Sequence, residues 1–205
     1  ANLVYSALRV AVNSRHEGAL ARTPIGLDAI RPVGGVGKRP VFLLLVVGET
    51  ARAANWGLAG YPRDTTPALR ARGVVNFADV SACGTDTETS VPCLFAPVGR
   101  RAYDETRIRG SESLLHLLAR SGLRVLWRDN QTGCKGVCDG LPTEAIDTAG
   151  QPDCVPGRCL DAHLLDGLGE KFDAADRIVV LHMIGSHGPA YDHRYPPAEA
   201  VFQPV

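Results

Sequence analysis

Three short stretches of this chain combine residue types that can do chemistry. The first is Gly48-Glu49-Thr50, where a carboxylate follows the apolar run from Val41 to Val47. A carboxylate placed there is either an anion near the start of a following helix or a metal ligand. The second is the loop from Ser81 to Cys93, which sets Thr85, Thr87, Thr89 and Ser90 between two cysteines. It reads either as a Thr-rich cap before a helix or as a nucleophile loop. A threonine hydroxyl attacks poorly at neutral pH and needs a base or a metal ion to draw off its proton. Zinc is the suitable ion, because it takes oxygen and nitrogen ligands in a tetrahedral site. The third stretch, Leu181 to Pro189, carries His182 and His187. A lone histidine is more often a satisfied structural residue. Two of them in line with Glu49 and the Thr loop favour a site. His16, His116 and His163 fall on helix candidates and need no function, while His193 lies in a Tyr/Pro-rich loop and stays unassigned.

These stretches share one expected placement, at the carboxyl ends of strands. The run Pro40 to Gly48 is continuously apolar, β-branched at its end and closed by glycine, which predicts a strand buried on both faces. Further strands are expected over 74–80, 123–127 and 177–183. Helices are expected over 66–72, with Pro67 suited to a first turn, over 111–121, capped by Ser111 and ended by Gly122, and over 160–172. Strands alternating with helices predict an α/β fold with a mostly parallel sheet flanked by helices. In such sheets ligands bind beyond the carboxyl ends of the strands, which is where all three stretches fall. Residues 1–38 read as a short helix followed by a Gly/Pro-punctuated linker able to wrap the domain surface, and 39–205 as the domain itself.

Six cysteines, at 83, 93, 134, 138, 154 and 159, fall into three local pairs. They read either as disulfides or as a zinc knuckle. The C-x3-C and C-x4-C spacings suit zinc fingers poorly, and proximity favours Cys83 with Cys93, Cys134 with Cys138, and Cys154 with Cys159. Each short ring would stabilise the chain by roughly 2 to 3 kcal/mol, less any strain. Three such bridges point to an oxidising compartment, periplasmic or extracellular.

The chain has 205 residues, with 22 basic and 22 acidic side chains and no net charge. That balance gives no electrostatic reason to expect a nucleic-acid partner, which normally shows as a basic stripe. No apolar run approaches the roughly 18 to 20 residues that span a bilayer. No basic n-region or apolar h-region is visible, so the chain is expected to begin downstream of whatever targets it.

Taken together, VVGETARAANWGLAGYPRDTTPAL (47–69), SACGTDTETSVPCLF (81–95), LRVLWRDNQTGCKGVCDGLP (123–142) and LHMIGSHGPAYDHRYPP (181–197) resemble the catalytic domain of lipid A phosphoethanolamine transferases. That family includes the mobile colistin-resistance enzymes and belongs to the alkaline phosphatase/sulfatase superfamily. The resemblance covers most of the chain from about residue 40 onward. It implies that Glu49 binds zinc and that Thr87, four residues past Cys83, binds the same zinc and is the nucleophile. It implies that His182 and His187 surround the transferred phosphoethanolamine and a second zinc, and that Lys135 lies near the phosphoryl group. The three cysteine pairs match the family's local bridges. The implied reaction is ping-pong, from phosphatidylethanolamine to Thr87 and on to a lipid A or related lipopolysaccharide acceptor. The implied location is the periplasmic face of a bacterial inner membrane, reached through an N-terminal membrane bundle.

Two departures from that family pattern set further expectations. Residues 1–38 resemble only the connection that follows the membrane bundle. The family completes its zinc site with a later Asp-His segment, which this sequence does not reach before Val205; Asp192-His193 lacks its context. Glu49 and Thr87 alone are too few ligands for a stable zinc site, so robust transfer by this chain alone is not expected. The alternatives are a secreted hydrolase of the same superfamily and a non-catalytic disulfide-stapled module. The sulfatase nucleophile motif is absent, since Cys93 is followed by Leu94 with no proline two residues on.

Overall fold

The computed structural model describes residues 22–30, 39–154, 159–171, 175–189 and 191–202. The helix expected before residue 22 lies outside them. Four strands, β1 (Phe42–Val47), β2 (Arg124–Asp129), β3 (Thr143–Ala145) and β4 (Arg177–His182), form one sheet in the order β1-β4-β2-β3. Every neighbouring pair is parallel, as the α/β pattern predicts. The helices are α1 (Pro67–Ala71), α2 (Thr87–Leu94), α3 (Glu105–Arg109) and α4 (Leu114–Arg120).

β4 is the buried centre of this sheet. Ile178 and Val180 pack on one face with Phe95, Leu115, Val125 and Trp127, while Val179 and Leu181 pack on the other with Leu126, Leu164 and Leu168. A parallel strand covered on both faces loses its polar positions, which explains the unbroken run Ile-Val-Val-Leu. Register then aligns the strand ends. Val47 of β1 and Asp129 of β2 both lie level with His182 of β4. The residues that follow each strand therefore emerge at one edge of the sheet.

Three expectations need correction. β1 is not buried on both faces: Leu45 and Val47 pack on the core, but Leu43, Leu44 and Val46 are exposed. Among the described residues β1 pairs with β4 alone, so one side of it has no cover. The strand expected over 74–80 is not formed, and Val75, Phe77 and Val80 are exposed. β-propensity becomes a strand only where a neighbour supplies ladder bonds and a packing face. The helix expected over 160–172 is instead two 3-10 turns, Asp161–Leu165 and Leu168–Lys171. Gly167, with φ of +64°, interrupts the run between them.

Helix starts follow local chemistry. α4 begins at Ser113 rather than Ser111, because Ser113 and His116 form a reciprocal capping box; its C-terminal side turns at Gly122, φ +91°. His116 is thus a structural residue. The expected cysteine pairs all form: Cys83–Cys93, Cys134–Cys138 and Cys154–Cys159. Residues 22–26 strap the domain surface. Thr23 exchanges backbone bonds with Gly110 and Glu112, and Arg22 bonds the Gly136 carbonyl and Asp139, 2.7 Å away.

Candidate active site

At the common edge of β1, β2 and β4, the side chains of Glu49 and Thr87 meet. The Thr87 hydroxyl donates to Glu49 Oε2 over 2.8 Å. Glu49 reaches this point because β1 ends at Val47 and the chain turns through Gly48 and Thr50, which adopts φ of +56°. Thr87 reaches it from the opposite side as the first residue of α2. Asp86 caps that helix, its Oδ1 accepting from the Thr89 amide at 2.8 Å. The cap of this helix is thus Asp86 and not one of the threonines, and it leaves the Thr87 hydroxyl facing Glu49.

Two further hydrogen bonds fix the Glu49 carboxylate. Thr50 Oγ1 donates to Oε1 at 2.7 Å, and Gln131 Nε2 donates to Oε2 at 3.3 Å. Partial burial alone would raise the Glu49 pKa. The donors Thr50, Thr87 and Gln131, with the charge of His187, outweigh it and hold the carboxyl below its ordinary value. Glu49 is thus an anion at neutral pH, a good ligand and a weak base.

The turn after β4 closes the site from a third side. Met183 donates its amide to the Val47 carbonyl at 3.0 Å and Ser186 to the Glu49 carbonyl at 3.3 Å. Gly185, at φ +49°, lies so close that a Cβ there would stand 2.5 Å from the Glu49 carbonyl oxygen. His187 follows this turn, its Nδ1 2.7 Å from the Gly188 carbonyl.

Lys135 and His182 occupy different surroundings from these. Lys135 stands on the Cys134–Cys138 ring, and its ammonium is 2.8 Å from Glu88, the residue after Thr87. It also donates to Thr132 Oγ1 at 2.7 Å. The fully buried His182 sits behind the site. Its Nδ1 is 2.7 Å from Asp129 Oδ1, and its Nε2 has no hydrogen-bond partner among the described residues. Asp129 also accepts from Trp127 Nε1 at 3.0 Å and the Gly133 amide at 2.9 Å. Burial would raise the Asp129 pKa, yet these donors and His182 lower it. His193 is exposed on the 191–193 turn.

Glu49 Oε2 and Thr87 Oγ1 are two oxygen atoms of types that zinc takes, held 2.8 Å apart by a hydrogen bond; as neighbouring ligands of a tetrahedral ion they would stand roughly 3.3 Å apart, with further ligands beside them. Among the described residues one group of three His, Cys, Asp or Glu ligand atoms lies within 4.8 Å, Cys154, Cys159 and His163. Its sulfurs are bonded to each other, so it is no substitute. Sequence reasoning missed Gln131, Glu88, Asp129, Asn130 and Asp161, although the first, third and fourth stand at the carboxyl end of β2.

Residues 42–205 match the family model described as Sulfatase. The chain belongs to the sulfatase family. It is 45% identical over 185 residues to phosphoethanolamine transferase EptA of Escherichia coli K12, covering 88% of this chain and 34% of that protein. It is 40% identical over 190 residues to phosphatidylethanolamine transferase Mcr-1 of Escherichia coli, covering 87% of this chain and 35% of the relative. The crystal structure of the soluble domain of lipooligosaccharide phosphoethanolamine transferase A from Neisseria meningitidis superposes with a TM-score of 0.84 at 42% identity. That match covers 91% of this chain and 57% of the other. The chain thus spans about a third of the length of these curated relatives. Among the described residues, no helix is long and apolar enough to cross a membrane.

Proposed function

We propose that this chain carries the nucleophile of a phosphoethanolamine transferase, with Thr87 as the residue that accepts the group. The observation that carries the reading is the 2.8 Å contact between the Thr87 hydroxyl and a carboxylate held in its anionic form. Thr87 Oγ forms a bond to the phosphorus of phosphatidylethanolamine while the bond from phosphorus to the diacylglycerol oxygen breaks. The Thr87 proton leaves, and the departing oxygen takes one up. A phosphate of a lipid A-type acceptor then displaces Thr87 from the phosphorus. The similarity to a phosphatidylethanolamine transferase and to a lipooligosaccharide phosphoethanolamine transferase supports this donor and acceptor class.

The site's own residues have distinct tasks in this scheme. Glu49 orients the Thr87 hydroxyl, and a carboxyl held below its ordinary value suits a metal ligand better than the final proton acceptor. Glu49 and Thr87 would hold zinc, which when bound supplies the Lewis acidity that favours an alkoxide; further ligands complete such a site. Thr87 lies in the first turn of α2, where unpaired amides favour developing negative charge. Lys135 and His187 balance charge on the phosphoryl oxygens. His182, fully buried and bonded to Asp129, backs the site from behind and does not touch the phosphoryl group. The three disulfides support a periplasmic location, with the donor drawn from the membrane surface.

The test is a transfer assay in a full-length transferase containing this chain, using a fluorescent phosphatidylethanolamine donor and lipopolysaccharide as acceptor. Thr87→Ala is expected to abolish transfer, and Glu49→Gln to reduce it at least about a hundredfold. Full activity in Thr87→Ala would refute the assignment.

A further inference from the structure

We infer that Asp161 is a positioning residue for the Glu49–Thr87 pair, acting through the turn at 184–186; this rests on the functional reading above. Asp161 begins the first 3-10 turn after the third disulfide. Its Oδ1 accepts from the Ile184 amide at 2.8 Å, and its Oδ2 from the Gly185 amide at 2.9 Å. One carboxylate therefore holds two successive amides of the turn by charge-assisted bonds. Its Oδ1 also accepts from Asn130 Nδ2 at 2.8 Å.

The held turn is the part of β4's loop that presses on Glu49. Gly185 leaves no room for a Cβ against the Glu49 carbonyl, and Ser186 donates to that same carbonyl. A shift of the turn therefore moves the Glu49 backbone directly, and with it the carboxylate that orients Thr87. The Asp161 carboxylate hydrogen-bonds the turn and Asn130, so its influence on Glu49 passes through the main chain of the turn.

Behind Asp161 the arrangement is anchored. Buried Asn130 pairs with both backbone groups of Cys159, donating to its carbonyl at 2.8 Å and accepting from its amide at 3.3 Å. The Asn130 amide meanwhile donates to the His182 carbonyl at 2.9 Å. Asn130 and Asp161 thus tie the Cys154–Cys159 ring to the strand ends that carry the site. The bridge's role in this scheme is to fix where Asp161 starts, at a place remote in sequence from Thr87.

The alternative is a local staple that stabilises the loop and has no bearing on Glu49. Amide exchange and chemical shifts in the oxidised, nitrogen-15-labelled chain separate the two. In Asp161→Asn, whose new NH2 group faces two amide donors, the Ile184 and Gly185 amides are expected to exchange at least about tenfold faster. The Ser186, Glu49 and Thr87 resonances are expected to move with them. Asp161→Glu, which keeps the charge but adds a methylene, should move the same resonances by less, and it serves if the Asn variant is poorly folded. His163→Gln, on the same turn, should leave them in place. Unchanged exchange at Ile184 and Gly185 would overturn the inference, as would faster exchange with Glu49 and Thr87 unmoved. In a full-length transferase containing this chain, Asp161→Asn should lower kcat with KM held. If the unsubstituted transferase transfers no phosphoethanolamine, the functional reading fails, while the amide result still decides the coupling.

Discussion

The Thr87 hydroxyl and the Glu49 carboxylate stand 2.8 Å apart although 38 residues separate them. That contact depends on both ends of the chain's architecture. Parallel register brings the end of β1 level with β4, and the Asp86 cap starts α2 one residue before Thr87.

Glu88 is the first point at which this arrangement can be tuned. Its carboxylate holds Lys135 at 2.8 Å and lies 3.7 Å from Arg109, so the Lys135 ammonium is already paired beside the first turn of α2. Glu88→Gln is expected to strengthen binding of phosphoethanolamine about threefold, in keeping with roughly 0.7 kcal/mol for a half-exposed ion pair. Isothermal titration of the variant and its parent checks this. Weaker binding would mean that Glu88 helps to place Lys135 instead of competing for it.

Asp129 should matter more for stability than for chemistry. It satisfies the buried His182 Nδ1, the Trp127 indole and the amides of Gln131 and Gly133. Asp129→Ala leaves all of these unpaired and is expected to cost about 3 kcal/mol or more, read by urea unfolding. Because its folded pKa is lowered, the contribution is fully present above the unfolded carboxyl value. It is lost as pH falls through the lower folded value, so the unfolding midpoint should decline on the acid side of about pH 4.

The end of β1 was legible in the sequence because an apolar run closed by glycine has few other readings. Glu49 and His187 emerge beyond β1 and β4 at the sheet edge, as expected for strand ends, but Thr87 arrives there as the first residue of α2 and not from the strand expected over 74–80. Val74 to Val80 misled for the opposite reason: β-branched residues describe what a strand would contain, not whether a neighbour will pair with it. Asp161 was hidden by its helical surroundings, since nothing local marks a carboxylate that bonds amides 23 and 24 residues away. Asn130 and Gln131 were findable. They follow β2 just as Glu49 follows β1, but an amide draws less attention there than a carboxylate or a histidine.

His163 predicts a pH effect of the other sign. Hydrogen bonds to Asp166 at 2.7 Å and Asp153 at 3.0 Å raise its pKa. Its contribution is therefore fully present below the unfolded value near 6.5 and is lost as pH rises through the higher folded value. Melting temperature should fall modestly across that window, and His163→Gln should remove the slope. A slope that persists in the variant would place the titrating group elsewhere.

With Thr87 as the nucleophile, the phosphoethanolamine group passes through Thr87 itself. The most direct measurement is mass spectrometry of the peptide containing Thr87, after a full-length transferase containing this chain meets phosphatidylethanolamine vesicles without acceptor. One phosphoethanolamine is expected on Thr87, absent from Thr87→Ala and cleared when lipopolysaccharide is added. A group found on another residue, or an unmodified Thr87 in an enzyme that still transfers, would contradict it.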